Sequence, residues 1–359
     1  MKNLVYILFI ALLSAIYSCS DWTDMKPLDF EPGTPSAEYY AALREYKKSD
    51  HPIAFGWFGS WSGQGASLYY SLLGIPDSVD LVSIWGGAYN INESQKEELK
   101  YCQEVKGTKF MACNIITNVG VGYTPNHVTE NWEANGYSSS AEAMRAYWGY
   151  TGASDIEPAI RKYANVICDS IYKYGYDGFD IDFEPHSGAS GDLVSYDDRV
   201  AIFVEELGKR LGPQSGTGKL LVVDGEPQYM PPHVGKYFDF FIVQAYYCPG
   251  DYRLDSRIKS SIDNFEGHLS AKEVARKYVV TEDFEKSGYA PNGGNTEFLD
   301  SEGNKMPSLL GMARWLPTVD GEKVPKGGIG TYHMEYEYPN VPEYKWLRQG
   351  IQIMNPAKK

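Results

Sequence analysis

Four acidic residues fall within eight positions of the stretch YDGFDIDFEP, residues 176–185. Asp180, Asp182 and Glu184 alternate there with large apolar side chains. Alternate residues of a β-strand share a face, so the three carboxylates are expected to point together into a protein interior. Carboxylates in one row repel each other and lose solvation, which raises at least one pKa. A general acid needs such a pKa, and Glu184, the outermost of the row, is the candidate for that role.

Acids at this spacing also occur in calcium-binding loops. The Asp-x-Asp-x-Glu spacing is similar to the start of an EF-hand loop, which requires Gly at its sixth and Glu at its twelfth position. Counted from Asp180, those positions hold Pro185 and Gly191, so this calcium loop is excluded. A magnesium or manganese site and a solvated edge strand remain alternatives. The apolar residues between the acids argue against an edge strand, and no metal site is predicted.

The surrounding chain alternates short apolar runs of β type with loops and helix-like stretches. The eight runs are Ile53–Phe58, Leu81–Trp85, Phe110–Ile116, Gly178–Phe183, Leu220–Val223, Phe238–Ala245, Tyr278–Thr281 and Ile329–Met334. Alternation of this kind favours a parallel sheet, and eight units favour an α/β fold of the TIM (β/α)8 barrel type in a single domain. An open, doubly wound sheet is the structural alternative.

Catalytic groups of such barrels lie at the carboxyl ends of the strands and on the loops that follow. The acidic row ends the fourth run, and the long loop Thr117–Asp155 after the third run is rich in Tyr and Trp. Its aromatic content predicts an ordered wall of a cleft. On the sixth run, Gln244 and Tyr246 share one face, which is expected to point inward.

The segment Asp-Gly-Phe-Asp-Ile-Asp-Phe-Glu resembles the Asp-Gly-x-Asp-x-Asp-x-Glu signature of glycoside hydrolase family 18 at every fixed position. In that family the substrate assists its own hydrolysis. The resemblance implies that Glu184 protonates the glycosidic oxygen while the 2-acetamido group of the sugar attacks the anomeric carbon. It further implies that Asp182 orients this acetamido group and that Asp180 supports Asp182 from below, without any cofactor.

The residues of the sixth run indicate which group within the family this sequence resembles. Chitinases of the family usually have Met-x-Tyr-Asp there, whereas Gln244-Ala245-Tyr246 resembles endo-β-N-acetylglucosaminidases that cut N-glycans between the two core GlcNAc residues. The implied activity is that of an endo-β-N-acetylglucosaminidase. The alternatives are a chitinase-type hydrolase of β1,4-GlcNAc polymers and a non-catalytic glycan-binding protein on the same barrel. Lectins of the family generally lose the acid that Glu184 supplies.

Further contacts with the sugar are expected at the barrel mouth. Tyr332, on the eighth run, is predicted to form the floor beneath the reacting sugar, because an aromatic face suits the apolar side of a sugar ring. Trp57 at the end of the first run, Asn114 at the end of the third and Glu226 after the fifth are additional candidates.

The N-terminus reads MKNLVYILFIALLSAIYSC, a charged start followed by a short apolar run that ends in Ser-Cys. Residues 1–18 are predicted to be a signal peptide that resembles those of bacterial lipoproteins, with lipidation of Cys19 and a tether over residues 19–35. An ordinary signal peptide with a chance Cys is the alternative. The glycoside hydrolase domain then spans residues 36–359. The implied location is the outer membrane, with the domain exposed at the cell surface through the lipid anchor. Outer-membrane glycan-uptake proteins are the partners that this location suggests.

Charge and cysteine content limit the remaining options. The net charge is −14 and no basic stripe occurs, which argues against nucleic acid as a partner and favours a neutral glycan. Cys113, Cys168 and Cys248 sit in apolar runs and are expected to be buried thiols, although disulfides involving these residues or Cys102 remain open in an exported protein. Glycan class and oligomeric state are not encoded in a readable pattern.

Overall fold

The computed structural model describes residues 35–63, 65 and 67–356. The chain forms two compact units, Met1–Tyr40 and Ala41–Lys359. In the first unit only residues 35–40 are described, and they begin a helix in which the Ser36 hydroxyl accepts the Tyr39 N–H at 3.2 Å. The predicted signal peptide, Cys19 and all of the tether except Pro35 lie outside the described residues. Among the described residues, no helix combines the length and the apolar character needed to cross a bilayer.

The second unit contains twelve strands among its described residues. In chain order they are β1 Ile53–Phe58, β2 Leu81–Ile84, β3 Lys109–Ile115, β4 Gly178–Phe183, β5 Leu220–Gly225, β6 Phe240–Gln244, β7 Tyr278–Asp283, β8 Phe298–Leu299, β9 Lys305–Met306, β10 Thr318–Val319, β11 Glu322–Lys323 and β12 Gly328–Tyr332. Eight of them are parallel and close a barrel in the order β1-β12-β7-β6-β5-β4-β3-β2. The remaining four form two antiparallel hairpins. The predicted barrel is confirmed.

Helices follow or precede the barrel strands along the chain. The α-helices of the described residues are Ala37–Lys48, Glu93–Tyr101, Asn126–Glu130, Ser140–Trp148, Ile156–Tyr174, Asp197–Leu207, Asp251–Phe265, Ala271–Lys277, Tyr289–Asn292, Ser308–Arg314 and Lys345–Met354. The long helix Ile156–Tyr174 is amphipathic, with Ile160, Ile167 and Ile171 on its buried face.

The apolar side chains of the barrel strands form two hydrophobic clusters, one outside the barrel and one inside it. Phe179, Ile181 and Phe183 of β4 pack outward, in the cluster that the strands share with the helices. A smaller cluster fills the barrel interior with side chains such as Phe55 and Trp57. The acids of β4 therefore face the interior, because alternate residues of a strand point to opposite sides. A barrel interior filled in this way is a packed core that opens at the carboxyl ends of the strands.

Three aromatic residues of the loop after β3, which was predicted to form a wall of a cleft, pack against the outer side of the barrel instead. Residues 117–155 contain the helices Asn126–Glu130 and Ser140–Trp148, so the segment is ordered. Trp148 and Tyr150 are 3% and 2% exposed and join the outer hydrophobic cluster. Tyr123 also packs against that cluster. These three side chains stabilise the segment against the barrel, because they bury a large apolar area.

All four cysteines in the described residues are buried and none forms a disulfide: Cys102, Cys113, Cys168 and Cys248. The expectation of buried thiols is thereby confirmed for the three that lie in apolar runs. Burial raises the pKa of Cys102 and of Cys168 to about 12, which keeps both thiols protonated and unreactive at neutral pH.

Candidate active site

The acidic row of β4 meets two neighbouring strands inside the barrel. Asp180 pairs in register with Cys113 of β3 and Val222 of β5. One layer closer to the mouth, Asp182 pairs with Ile115 of β3 and Asp224 of β5. Glu184 follows directly after β4 and is partly exposed. The row thus runs from a buried carboxyl at the floor to an accessible one at the mouth.

A cavity of about 260 Å³ opens above this row. It is lined by Trp57, Trp85, Ile115, Asp182, Glu184, Asp224, Gln244, Tyr246 and Tyr332. These residues come from the carboxyl ends of seven barrel strands or from the positions directly after them. No lysine, arginine or histidine is among them. The cavity therefore presents carboxyls, one amide and an aromatic surface, which suits an uncharged ligand that acquires positive charge during reaction.

Asp180 is fully buried beneath the cavity and is held by two donors on one oxygen. Its Oδ2 accepts the indole N–H of Trp57 at 3.1 Å and the hydroxyl of Ser83 at 2.5 Å. Burial raises the pKa of Asp180 to about 6, and these hydrogen bonds oppose the rise. The predicted supporting position below Asp182 is the one that the structure gives to Asp180.

Asp182 and Asp224 form the next layer, and ionisation of one disfavours ionisation of the other. Burial is the main cause that raises the pKa of Asp182 to about 8, and the nearby charges of Glu184 and Asp180 are the next causes. Burial also raises the pKa of Asp224 well above its usual value, with the charges of Asp180 and Asp182 as the next causes. At neutral pH this group of carboxyls therefore retains protons, because full ionisation would place several unpaired charges in one dry site.

Gln244 of β6 is joined to this layer through Asp224. Its Nε2 donates to Oδ1 of Asp224 at 3.2 Å, and the Cys113 thiol donates to Oδ2 at 3.6 Å. The amide of Gln244 is thus held by a buried carboxyl while it lines the cavity. Gln244 and Tyr246 both face the cavity, as the alternation on strand six predicts.

Aromatic rings form one side of the cavity. The ring of Tyr332 lies 6.0 Å from that of Trp57, 6.1 Å from that of Trp85 and 6.0 Å from that of Tyr246, measured between centroids. Burial raises the pKa of Tyr246 well above its usual value, so its phenol remains a neutral hydrogen-bond donor. The predicted Tyr332 and Trp57 therefore lie together at the cavity, although Trp57 is only 2% exposed.

Asn114 is not part of the cavity, contrary to the sequence prediction. Its Nδ2 donates to the carbonyl oxygens of Ile115 and Val121, each at 3.1 Å. Its Oδ1 would lie 2.4 Å from a Cβ at position 122, where the chain has glycine with φ +77°. Asn114 alternates with the inward-facing residues of β3 and therefore points outward, where it fastens the following loop to the strand.

Glu226 does not line the cavity either. Its Oε2 accepts the backbone N–H of His186 at 2.8 Å, and its Oε1 accepts the Ser187 hydroxyl at 3.2 Å. These bonds hold the loop that follows Glu184, so Glu226 contacts the chain next to the site and not the cavity itself. Glu226, predicted as a substrate contact, is thus placed beside the loop after β4 and outside the lining of the cavity.

Three residues near the reacting layer were missed from the sequence: Ser83, Trp85 and Asp224. Asp224 had a readable signal, because it is an acid directly after the apolar run Leu220–Val223, at the carboxyl end of a predicted barrel strand. Ser83 had none, since a single Ser within an apolar run is common. The observed β5 extends through Asp224 to Gly225, which places this acid in the sheet.

Cys113, Asp180 and Asp224 bring one thiol and two carboxyls within 4.8 Å of one another, among the described residues that could hold a metal ion. Trp57 and Ser83 already donate to Asp180, and Gln244 and Cys113 already donate to Asp224. The carboxyls of this cluster are therefore joined to their neighbours by hydrogen bonds.

A second cavity of about 230 Å³ opens near the amino ends of the barrel strands. Ile53, Leu81, Lys109 and Leu220 contribute to its lining. The His51 imidazole lies 3.1 Å from Asp80, which itself accepts the Ala54 N–H. This end of a barrel serves stability, because the strand ends that carry catalytic groups lie opposite. The cavity above Asp182 is the candidate active site.

Comparison with known proteins agrees with this site and barrel. The family model described as "Glycoside hydrolase family 18, BT1044-like" matches residues 18–353. A solved structure of a Glu-to-Gln variant of BT1044 is 35% identical, with a TM-score of 0.75, and the match covers 91% of this chain and 95% of that one.

Two further proteins are more distant. Endo-beta-N-acetylglucosaminidase F2 of Elizabethkingia meningoseptica is 25% identical over 342 residues, which cover 90% of this chain and 88% of that protein. The apo structure of endo-beta-N-acetylglucosaminidase from Cordyceps militaris shares the fold, with 21% identity, a TM-score of 0.58 and coverage of 90% and 97%. With a closed eight-stranded barrel, an acidic row on β4 and a family match over nearly its whole length, the chain belongs to glycoside hydrolase family 18.

Proposed function

We propose that this chain is an endo-β-N-acetylglucosaminidase that hydrolyses the GlcNAc-β1,4-GlcNAc core of N-glycans with retention of configuration. The observation that carries the proposal is the shared cavity of Asp182, Glu184, Gln244 and Tyr246. Two acids of β4 and two polar groups of β6 converge on a space of about 260 Å³. The 25% identity to endo-beta-N-acetylglucosaminidase F2 supports the same reading.

Glu184 is assigned the proton transfers. Its side chain is partly exposed at the outer end of the row and lines the cavity. It can therefore reach the glycosidic oxygen of a substrate that enters the cavity from solvent. In the first step it gives its proton to that oxygen, and the bond from the anomeric carbon to the leaving sugar breaks. In the second step it takes a proton from water, which attacks the anomeric carbon.

The nucleophile of the first step belongs to the substrate. The carbonyl oxygen of the 2-acetamido group bonds to the anomeric carbon and gives an oxazolinium ion, which the water then opens with net retention. Asp182 accepts the acetamido N–H and faces the positive charge that develops there. Asp182 is anionic in this step only if its proton rests elsewhere, and the protonatable Asp180 and Asp224 offer two places for it.

Gln244 and Tyr246 hold the acetamido group in the attacking geometry. Gln244 is itself fixed by Asp224, and the neutral Tyr246 phenol is a donor for the acetamido carbonyl oxygen. Positioning of this kind contributes because an oriented intramolecular nucleophile avoids much of the entropic cost of attack. Tyr332 with Trp57 and Trp85 supplies an aromatic surface for the apolar side of the sugar ring.

The decisive experiment incubates the full chain with glycoproteins that carry high-mannose, hybrid or complex N-glycans, followed by mass spectrometry. The proposal expects release of glycan and retention of a single GlcNAc on each asparagine. Hydrolysis of chito-oligosaccharides with no release from any glycoprotein would instead identify a chitinase. Glycan binding without hydrolysis of either substrate class would identify a binding protein. Proton NMR of the first product distinguishes retention from inversion.

We also propose that the chain is exported and lipid-anchored through Cys19 to the outer membrane, facing outward. The support is the sequence alone: a short apolar run ending in Ser-Cys, followed by the acidic residues Asp21 and Asp24. Mass spectrometry of the mature N-terminus checks the lipid on Cys19. Protease accessibility on intact cells checks the orientation. Release of a Cys19→Ala variant into the soluble fraction is the expected result, and unchanged membrane association would exclude the anchor.

A further inference from the structure

Tyr247, the residue after Tyr246, has an unusual combination of backbone conformation and exposure. Its φ is +58°, in the left-handed region that bulky side chains seldom adopt. Its side chain is not buried in return, since the residue is 46% exposed. A strained backbone with no gain in apolar burial needs another reason, and such strain is concentrated at sites that bind ligands.

Two buried acids at the end of β7 hold Tyr247 in place. Its backbone N–H donates to Oε1 of Glu282 at 2.9 Å, and its phenol donates to Oδ2 of Asp283. Glu282 has no exposed surface and also accepts the hydroxyl of Ser308. Neither acid lines the catalytic cavity. The backbone N–H and the phenol of this exposed tyrosine are therefore both held by carboxyls. Burial of a carboxyl costs free energy unless it is hydrogen-bonded.

The acids are themselves anchored. Glu282 accepts the backbone N–H of Asp283 at 2.9 Å, and Asp283 accepts the N–H groups of Glu285 at 2.8 Å and Lys286 at 3.3 Å through Oδ1. The ring of Tyr247 is consequently attached to the rigid end of a barrel strand. A preorganised side chain loses little conformational freedom when a ligand binds, which favours affinity.

The position of the ring makes it continuous with the candidate active site. Its centroid lies 6.3 Å from that of Tyr246, which lines the cavity together with Tyr332. The ammonium group of Lys286 lies 4.8 Å from the Tyr247 centroid and the Tyr289 ring lies 5.7 Å away. The exposed ring of Tyr247 therefore lies next to a residue that lines the cavity.

We propose that Tyr247 is a stacking platform for the sugar ring adjacent to the one bound in the catalytic cavity, and that the site therefore selects glycans that extend beyond the cleaved linkage. This inference rests on the proposed function, because it assigns a second sugar-binding position to the same site. A neutral pyranose presents an apolar C–H face, and a rigid tyrosine offers amphipathic contact area at low entropic cost. The ligand class is an uncharged hexose or N-acetylhexosamine within an oligosaccharide.

The test measures binding by titration calorimetry on the full chain carrying Glu184→Gln, so that ligands are not consumed. The probes are a high-mannose glycopeptide, a complex-type glycopeptide, chitohexaose and the monosaccharide N-acetylglucosamine. Tyr247→Ala is expected to weaken the tightest of the long probes by about 10-fold, the size expected for one aromatic contact. Binding of N-acetylglucosamine is expected to change by less than about 3-fold, because a single sugar in the catalytic cavity does not reach the platform.

Two variants separate the ring from its supports. Tyr247→Phe keeps the ring and loses the bond to Asp283, so it should bind within about 3-fold of the parent. Tyr247→Gly suits the positive φ, so it should tolerate this backbone conformation better than Tyr247→Ala and yet bind glycan equally weakly. The control is Tyr252→Ala, which removes a tyrosine that is 66% exposed on the helix Asp251–Phe265 and outside the cavity. No change is expected there.

Failure of this inference differs from failure of the proposed function. If Tyr247→Ala and Tyr247→Gly bind the long probes as tightly as the parent, Tyr247 is not a platform. If the parent binds chitohexaose and neither glycopeptide, the N-glycan assignment is wrong, and the same comparison on chitohexaose still decides the role of Tyr247. If the parent binds none of the long probes, both proposals are wrong.

Discussion

Gln244 donates through Nε2 to Oδ1 of Asp224 across 3.2 Å, which ties an amide of β6 to a buried carboxyl of β5. The amide lines the cavity, and its orientation therefore depends on Asp224. Because the carboxyl of Asp224 accepts the hydrogen bond from Nε2, the Oε1 atom of Gln244 points away from Asp224. The bond therefore fixes the orientation of the amide. Asp224 is on this argument a positioning residue for the acetamido group of the substrate.

Replacement of Asp224 by alanine should lower kcat by about 10-fold or more with a smaller change in KM, since loss of a buried hydrogen bond costs about 1–3 kcal/mol. Asp224→Asn retains an acceptor for Gln244 and should recover part of the rate. Steady-state kinetics on a glycopeptide measures both. The control is Cys113→Ala, which removes only the thiol donor to Asp224 and should leave kcat nearly unchanged. Equal effects of the alanine and asparagine variants would contradict a positioning role.

Glu184→Gln should reduce turnover by at least about 1,000-fold while changing glycan affinity by less than a few-fold, because the amide keeps the shape and cannot transfer the proton. Glycan release followed by mass spectrometry gives the rate, and calorimetry gives the affinity. Glu226→Gln is the matched control: it is the same substitution at a residue that binds the loop after β4 and not the cavity. Turnover of Glu184→Gln at the level of the control would exclude the acid assignment.

Asp182→Asn should lower kcat by about 100- to 1,000-fold, the cost typical of removing one group that stabilises charge in the transition state. KM should change little, because the neutral side chain still fills the same space. A stable thiazoline analogue of the oxazolinium ion should bind the variant more weakly by a similar factor than it binds the parent. Unchanged analogue affinity would show that Asp182 does not face the developing charge.

The buried carboxyls predict how stability depends on pH. The pKa of Asp182 is about 8 in the folded protein and about 3.8 for the free group, and the pKa of Asp180 is about 6. Between the unfolded and folded pKa of each group, the folded chain binds more protons than the unfolded chain. The contribution of these two carboxyls to the free energy of unfolding therefore falls as pH rises from about 4 to about 8. The contribution of Asp182 is complete below about pH 4 and is lost as pH rises through 8.

Urea unfolding of Asp182→Asn and of the parent between pH 5 and pH 9 checks this sign. The variant should gain stability relative to the parent as pH rises, because asparagine has no proton to lose. Asp263→Asn is the control, since that exposed carboxylate pairs with Lys259 on a helix surface and should give a curve parallel to that of the parent. A parallel curve for Asp182→Asn would contradict the raised pKa of Asp182.

Asn114→Ala should destabilise the fold by about 1–3 kcal/mol while leaving KM unchanged, because the carbonyls of Ile115 and Val121 lose their shared donor. Urea unfolding gives the stability and glycopeptide hydrolysis gives KM. Tyr332→Ala offers the opposite case, with a raised KM and a smaller loss of stability, because its ring lines the cavity. A raised KM for Asn114→Ala with unchanged stability would restore Asn114 as a substrate contact.

The sequence by itself determined the features that depend on local periodicity. Acids alternate with bulky apolar residues on β4, so only one assignment of faces buries the apolar side, and the inward row of Asp180, Asp182 and Glu184 follows. Strand six is readable for the same reason, since Gln244 and Tyr246 share one parity. Alternation of apolar runs with helical stretches predicted a parallel sheet with both faces covered, and the number of units favoured a barrel over an open sheet.

Tertiary structure alone decided what depends on pairing between strands. The runs that became β3 and β5 are apolar on both faces, so their parity cannot be read along the chain, and only the register with β4 turned Asn114 outward and Asp224 inward. That register also set the proton affinities, because Asp182 and Asp224 repel through space although 42 residues apart in sequence. The same holds for Tyr247, whose strained backbone became visible only where β7 placed Glu282 and Asp283 beside it.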